Sequence, residues 1–201
     1  MTKMEGCGFS DWSGKRKTSV AFLLFVCCFL PAGLIAGPAF GQEFAVHEAH
    51  TELVNEVYQL DAWIDIRLGE EVVDALQSGV PITIEIDIEV YRPRRYLWNE
   101  RIASLRQRYR LEYHALSERY LVTNLNTRAQ QSYPIRGAAI AAVGVINDLP
   151  VLDRKLLTEG KGYMARLRAR LDIEALPAPL RVLAYLSPSW RASSTWYAWE
   201  L

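Results

Sequence analysis

The chain has 201 residues, of which 50% are hydrophobic, and it carries 23 basic and 23 acidic side chains. This length suits one domain of ordinary size, and the hydrophobic content excludes an intrinsically disordered chain. A nucleic-acid-binding domain is disfavoured as well, because such a domain would be basic.

The N-terminal residues 1–41 have the plan of a secretory signal peptide. The basic residues Lys15–Lys17 precede an apolar run from Val20 to Leu30, and Ala39–Gly41 forms a small-x-small cleavage site. We therefore expect cleavage after Gly41 and a single periplasmic domain over residues 42–201.

The alternative is an uncleaved anchor in the inner membrane, because residues 18–40 are long enough to span a bilayer. Cys7, Cys27 and Cys28 all precede the cleavage site, so the mature domain has no disulfide or thiolate metal site. Removal of residues 1–41 leaves 19 basic and 21 acidic side chains, so the mature domain is close to neutral.

The first part of the mature chain predicts a hairpin followed by a helix. Phe44–Leu53 and Val57–Leu68 are predicted strands joined by a turn at Asn55, and the second strand places alternate apolar residues on one face. Gly69–Ser78 changes to helical spacing, and Gly79 is placed to end that helix.

The next stretch, Ile82–Val90, alternates apolar and polar residues without a fault, which is the pattern of a strand. Leu105–Leu111 repeats the alternation with arginines on the polar face. We expect the two strands to pair as an antiparallel hairpin, because their charges are complementary. The predicted register sets Glu85 opposite Arg110, Asp87 opposite Arg108 and Glu89 opposite Arg106.

The remaining elements predict more strands with short helical connections. The predictions are a returning strand at Tyr120–Leu125, a polar loop at Asn124–Ser132, a helix close to the sheet at Gly137–Ile146, a turn or helical piece at Leu149–Leu157, a strand at Tyr163–Ile173, a short helix or connector at Ala175–Leu186 and a terminal strand at Ser193–Leu201. The expected fold is β-rich α+β: a single antiparallel sheet or a β-sandwich with two or three short helices.

The strand Ile82–Val90 carries an acidic row of Glu85, Asp87 and Glu89, and two later strands carry rows of arginines. We expect the members of the acidic row to sit on one regular, solvated strand face, so we interpret them with the row Arg106, Arg108 and Arg110 as a structural ion-pair ladder rather than a catalytic or cation site. The second row is Arg166, Arg168 and Arg170. It would be neutralised if it flanks the acidic strand, and it would be a basic stripe open to an anionic partner if it lies apart.

The aromatic C-terminus is the other candidate interaction surface. Its aromatic side chains either close the core or form a platform for a partner, and they are Trp190, Trp196, Tyr197 and Trp199. The segment Leu180–Leu186 is interpreted as core cover, with a membrane-touching piece as the alternative.

No sequence pattern points to catalysis or to a bound cofactor. His47 and His50 are three residues apart on a predicted strand, which sends their imidazoles to opposite faces unless a bulge intervenes, so we predict no metal. The chain has no nucleophile elbow, HExxH motif or phosphate-binding glycine loop. We therefore expect a non-enzymatic protein without a cofactor.

Several stretches together resemble the exported proteobacterial family of domain of unknown function 4390. These stretches come after the signal-peptide segment in the chain. They are Leu76–Thr83, Tyr163–Ile173, Leu176–Pro177, Leu186–Trp190 and Trp196–Tyr197. The resemblance covers nearly all of the mature chain but implies no activity or site. Members are often encoded beside an envelope sensor histidine kinase, which implies a link to envelope sensing by association.

The expected function is that of a periplasmic accessory or binding protein that acts through contacts with an envelope protein, with a sensor kinase as one such partner. The alternative is a carrier or binder of an amphipathic envelope ligand, which would be a lipid or another anionic molecule. A large apolar cavity behind Ile82–Val90 would favour the carrier, and a filled core with an exposed aromatic edge would favour protein contacts.

Overall fold

Strands account for about half of the chain that the structure describes. The computed structural model describes residues 44–201. The predicted signal peptide or anchor at residues 1–41 lies outside these residues. The strands are β1 (Phe44–Val54), β2 (Val57–Ile66), β3 (Ile82–Arg92), β4 (Glu100–His114), β5 (Arg119–Asn124), β6 (Gln130–Tyr133), β7 (Val145–Asp153), β8 (Met164–Leu171) and β9 (Tyr197–Glu200). The α-helices within this part of the chain are α1 (Glu70–Gln77), α2 (Arg136–Gly144) and α3 (Ala178–Leu186).

The strands form two antiparallel sheets that enclose the core. The small sheet has the order β1-β2-β7, and the large sheet has the order β6-β5-β4-β3-β8-β9. Buried side chains of both sheets, including Leu60, Ile64, Ile86 and Leu167, belong to one hydrophobic cluster. This arrangement confirms the β-rich α+β prediction, and two stacked sheets are the sandwich form of it.

The strand β3 lies near the centre of the large sheet and is buried on both faces. Its apolar row, from Ile82 to Val90, is 0–1% exposed and faces the small sheet. Most of its polar row is buried as well, since Glu85 is 4% and Asp87 9% exposed, while Glu89 is partly buried. The sequence predicted the two faces correctly, but the expectation of a solvated acidic face is wrong, because neighbouring side chains cover it.

The predicted register of β3 and β4 is wrong by two residues. Glu85 lies opposite Arg108 and Asp87 opposite Arg106, whereas Glu89 lies opposite Ser104. A shift of two residues keeps every side chain on its face, so the polarity pattern alone does not distinguish the two registers. The observed register sets Ile88 opposite Leu105, and a bulge follows at Val90/Tyr91.

The predicted helix at Gly137–Ile146 is confirmed in position, but it ends at Gly144 and a strand follows at once. The predicted turn or helical piece at Leu149–Leu157 is therefore wrong over most of its length, because β7 runs to Asp153 before a single 3₁₀ turn at Arg154–Leu156. Pro150 is compatible with this strand because β7 is the edge of the small sheet.

The loop predicted at Asn124–Ser132 is also partly wrong, since it gives way to the short edge strand β6, which pairs with β5. Polar composition at a sheet edge looks like a loop in the sequence, because the exposed strand has no buried face to create alternation. The other predicted strands and the helix α1 lie within a few residues of their expected positions.

Candidate functional site

The outer face of the large sheet carries a lattice of charges centred on β3. The acidic row is flanked by β4 on one side and by β8 on the other, and β8 sets Arg170, Arg168 and Arg166 directly opposite Glu85, Asp87 and Glu89. The second arginine row therefore flanks the acidic strand, and it does not form a separate basic stripe.

The ion pairs of the lattice link all three strands. Asp87 Oδ1 accepts a hydrogen bond from Arg106 Nε at 3.1 Å, and Asp87 Oδ2 accepts one from Arg168 Nη2 at 3.0 Å. Glu89 Oε2 accepts from Arg166 Nε at 2.8 Å. Glu85 Oε1 lies 3.2 Å from Arg106 Nε. Each buried carboxylate thus receives cationic donors, which is what burial of a charge requires.

Arg170 is held between two carboxylates. Its Nε donates to Glu85 Oε1 at 3.0 Å and lies 3.4 Å from Asp87 Oδ2. Burial alone would lower the pKa of the Arg170 guanidinium, but the hydrogen bond to Glu85 and the charges of Asp87, Glu85 and Asp172 outweigh it and raise that pKa. This arginine stays charged at every pH at which the protein is folded.

The predicted ladder is therefore correct in type but not in membership. Arg106 belongs to it, while Arg110 lies opposite Thr83 and its ion pair is with Glu112 at 4.0 Å. Arg108 lies opposite Glu85, yet it forms no ion pair within 4.0 Å among residues 44–201. The arginines of β8 take the place that the sequence assigned to Arg108 and Arg110.

Trp196 covers part of the lattice. The guanidinium carbons of Arg166 and Arg168 lie 4.4 Å and 4.5 Å from the centre of its ring, and Arg166 also stacks over Tyr91 at 5.2 Å. The chain before it is tied to β8, since Ser194 Oγ accepts a hydrogen bond from the Ala169 amide at 3.0 Å. Trp196 therefore shields the ion pairs from water and strengthens them.

The remaining aromatic residues of the C-terminus are not a common platform. Trp190 is 8% exposed and lies in the core, so its side chain is not available to a partner. Trp199 packs against the core, and its indole Nε1 donates to Thr51 Oγ1 of β1 at 3.2 Å, which ties the two sheets together. Tyr197 is half-buried beside it, with ring centres 6.2 Å apart. The structure thus separates four residues that the sequence grouped.

An exposed apolar surface lies instead on α3. Val182, Leu183 and Leu186 are 62–76% exposed, and Tyr185 is exposed next to them, whereas Ala184 is buried. The interpretation of this segment as core cover therefore holds for Ala184 and is wrong for its large residues. A short helix after two prolines offered too few turns for its outward face to be identified from the sequence.

A cleft of about 450 Å³ connects α3 with the charged lattice. Its lining includes Tyr185, Asp172 and Glu174 together with Arg106, Arg108 and Arg170. A side chain entering this cleft would meet the guanidinium of Arg108, which has no carboxylate partner within 4.0 Å in residues 44–201.

The tip of the β3–β4 hairpin is a second exposed surface. Tyr96, Leu97 and Trp98 are 85%, 66% and 93% exposed. The signal that would have identified it is three consecutive large apolar residues in the middle of a turn between two polar-faced strands.

The histidines of β1 lie on the solvent face of the small sheet. A bulge between Val46 and Glu48 places His47 over Trp63, with ring centres 4.5 Å apart, and His50 lies 3.9 Å from Asp61. The bulge removes the reason for expecting the imidazoles on opposite faces. Within residues 44–201, no three His, Cys, Asp or Glu side chains converge as metal ligands would.

Comparison with known proteins places the chain in a family. The family model described as a domain of unknown function, DUF4390, matches residues 41–200. The chain belongs to this family. No curated protein and no solved structure matches the chain.

Membership in DUF4390 confirms the resemblance found in the sequence over the whole described domain. The family description names no activity. In the part of the chain that the structure describes, no helix has both the length and the apolar character needed to cross a bilayer.

Proposed function

We propose that this protein is a non-catalytic accessory protein of the periplasm that binds a protein partner through α3 and the adjoining cleft. The observation that carries the proposal is the exposure of Val182, Leu183 and Leu186 on one short helix. Export through residues 1–41, with cleavage after Gly41 or retention as an anchor, belongs to the same proposal. A sensor kinase of the envelope is one partner that fits it.

The helix is held firmly, so its apolar residues are presented in a defined position. Arg181 Nη2 donates to the Leu176 carbonyl at 3.1 Å, and Arg191 Nη2 donates to the Tyr185 carbonyl at 2.5 Å. Tyr185 Oη also donates to Glu174. A fixed apolar surface loses little conformational entropy on binding, which favours affinity for a protein partner.

The cleft indicates the chemistry of that partner. Arg108 has no carboxylate within 4.0 Å in residues 44–201 and lines the cleft together with Tyr185 of the apolar helix. A segment that fits both features has apolar side chains beside a carboxylate, which would pair with Arg108. We therefore propose an apolar, acidic segment of an envelope protein as the ligand.

The core gives less support to the carrier alternative. The apolar row of β3, from Ile82 to Val90, is buried against other side chains. Four clefts of the described domain are lined by other residues, so none of these four opens behind that row. A carrier would need an apolar cavity of several hundred Å³ to enclose its ligand.

The test is site-specific photo-crosslinking in living cells, with the reactive residue at Leu183 and, as the matched control, at the exposed Thr127 in the β5–β6 loop. We expect a protein adduct from position 183 and none from position 127. The adduct should be lost when Arg108→Glu is added, because the charge in the cleft is reversed. Lipid adducts alone would favour the carrier, and an adduct insensitive to Arg108→Glu would contradict the proposed ligand chemistry.

A further inference from the structure

The tip of the β3–β4 hairpin projects bulky apolar side chains into solvent. Between Arg92 and Glu100, the consecutive residues Tyr96, Leu97 and Trp98 are all more than 60% exposed. Isolated apolar residues are common on protein surfaces, but three in sequence on one turn are not needed for the fold and indicate a contact.

The base of this tip is fixed by ion pairs. Glu100 Oε2 accepts a hydrogen bond from Arg94 Nη2 at 2.6 Å and also pairs with Arg92. The hydrogen bond from Arg94, together with the charges of Arg92, Arg94 and Lys161, lowers the pKa of Glu100 against a weaker opposing effect of burial. The carboxylate therefore stays ionised, and the aromatic residues are held away from the sheet.

One cation lies against the exposed aromatic residues, and others lie in the loop after β7. The exposed Arg95 lies over the ring of Tyr96, with its guanidinium carbon 5.5 Å from the ring centre. Lys161, whose charge acts on Glu100, lies in the loop that follows β7. That loop also exposes Lys155 and Leu156, the latter 66% exposed. Lys155 and Lys161 line a cleft of about 680 Å³ at this end of the domain.

Tryptophan and tyrosine beside arginine and lysine match the chemistry of a bilayer surface. Amphipathic rings partition to the headgroup region of a membrane, and each cation near an anionic leaflet adds to the attraction. We propose that this end of the domain contacts an anionic lipid bilayer, with Trp98 and Leu97 entering the headgroup region and Arg95, Lys155 and Lys161 facing lipid phosphates.

The position of the tip separates this contact from the surface of α3. The amide of Asp172, in the segment leading to α3, donates to the Thr83 carbonyl at 2.9 Å, which places that segment at the start of β3. The tip follows Arg92 at the other end of the same strand, about 30 Å away at a rise of about 3.3 Å per residue. The protein can therefore touch a membrane at one end while α3 remains open to a protein partner.

The test measures quenching of Trp98 fluorescence by brominated lipids, using the full chain and vesicles of phosphatidylcholine with or without phosphatidylglycerol. The apolar stretch Val20–Leu30 is present in every sample, so the readout must be local to the tip rather than total binding. The variant Trp98→Phe removes the reporter, and Trp63→Phe is the matched control, since Trp63 is exposed on the small sheet.

The chain has six tryptophans, with Trp12 near the apolar stretch, so the Trp98 signal is the quenching in the wild type minus the quenching in Trp98→Phe. We expect this Trp98 signal to depend on phosphatidylglycerol and to be kept when Trp63→Phe is added to both proteins. The double variant Lys155→Glu/Lys161→Glu should raise the anionic lipid concentration for half-maximal quenching by about fivefold or more. Arg128→Glu, an exposed charge reversal in the β5–β6 loop, should leave that concentration unchanged.

Equal quenching in the wild type and in Trp98→Phe would overturn the proposal, as would a Trp98 signal that does not depend on phosphatidylglycerol. A blue shift of Trp98 emission with protein concentration in the absence of vesicles would instead assign the tip to self-association. None of these results bears on crosslinking at Leu183, so the two proposals fail separately.

Discussion

Asp87 on β3 and Arg168 on β8 are direct cross-strand partners, and Asp87 Oδ2 accepts a hydrogen bond from Arg168 Nη2 at 3.0 Å. Asp87 is 9% exposed, and its other carboxylate oxygen, Oδ1, accepts a hydrogen bond from Arg106. This pair lies at the centre of the lattice, whose carboxylates are largely buried while its arginines remain partly exposed. The lattice is therefore a structural element of the sheet.

Replacement of Asp87 by Asn should destabilise the domain. The change preserves shape but leaves Arg106, Arg168 and Arg170 around a neutral oxygen, so we expect a loss of about 1–3 kcal/mol in the free energy of unfolding. Chemical denaturation measures this loss. The control Asp65→Asn breaks a surface pair with Arg67 and should cost less than about 1 kcal/mol. Equal losses would show that burial adds nothing to the lattice.

Gly144 should not tolerate a side chain. It ends α2 where the helix meets β2, and a Cβ there would collide with the backbone carbonyl oxygen of Ile64. Gly144→Ala is expected to lower the free energy of unfolding by about 1–3 kcal/mol, because the backbone must move. Gly137→Ala in the same helix meets open space and should be neutral or stabilising by up to about 1 kcal/mol. Thermal unfolding of both variants compares them.

The hairpin tip should loosen at acid pH. The pKa of Glu100 is lowered from 4.5, chiefly by the hydrogen bond from Arg94. Because the folded pKa lies below the unfolded one, the stabilisation is present above pH 4.5 and is lost as the pH falls through the folded value. A carboxyl NMR titration should show a midpoint below 4.5 that rises in Arg94→Gln and stays unchanged in Arg128→Gln. A midpoint unaffected by Arg94→Gln would contradict the assigned cause.

Truncation of the core tryptophan should lower the stability of the domain, whereas truncation of the tip tryptophan should leave it almost unchanged. Trp190 is 8% exposed within the main cluster, so Trp190→Ala should cost about 3–5 kcal/mol of folding free energy. Trp98 is 93% exposed, and Trp98→Ala should change stability by less than about 0.5 kcal/mol. Urea denaturation distinguishes the two, and a small loss in Trp190→Ala would place that side chain at the surface instead.

Much of this fold could be predicted from local pattern. The alternation of Ile82–Val90 and of Tyr163–Ile173 predicted strands with the correct inward faces, because side chains on a strand have a period of two. The helix α1 and the positive φ of Gly79 were also predictable, since a helix end requires a residue that accepts that conformation.

Relationships between distant residues were not predictable in the same way. Glu85 could lie opposite Arg108 or Arg110 without changing the face of any side chain. The polarity pattern therefore determined which face each side chain occupies, but not which residues lie opposite one another. The edge strand β7 was missed because Pro150 and scattered apolar residues look like a turn until β2 supplies a partner.

The sequence by itself therefore determined the strands, their inward faces and the charge complementarity of the two arginine rows with the acidic row, because these depend on near neighbours along the chain. Only the tertiary structure decided that all three arginines of β8 join the ion-pair lattice, that Trp190 is buried and that Trp98 and Leu183 are exposed. Exposure depends on which elements pack over a residue, and those elements are far away in the sequence.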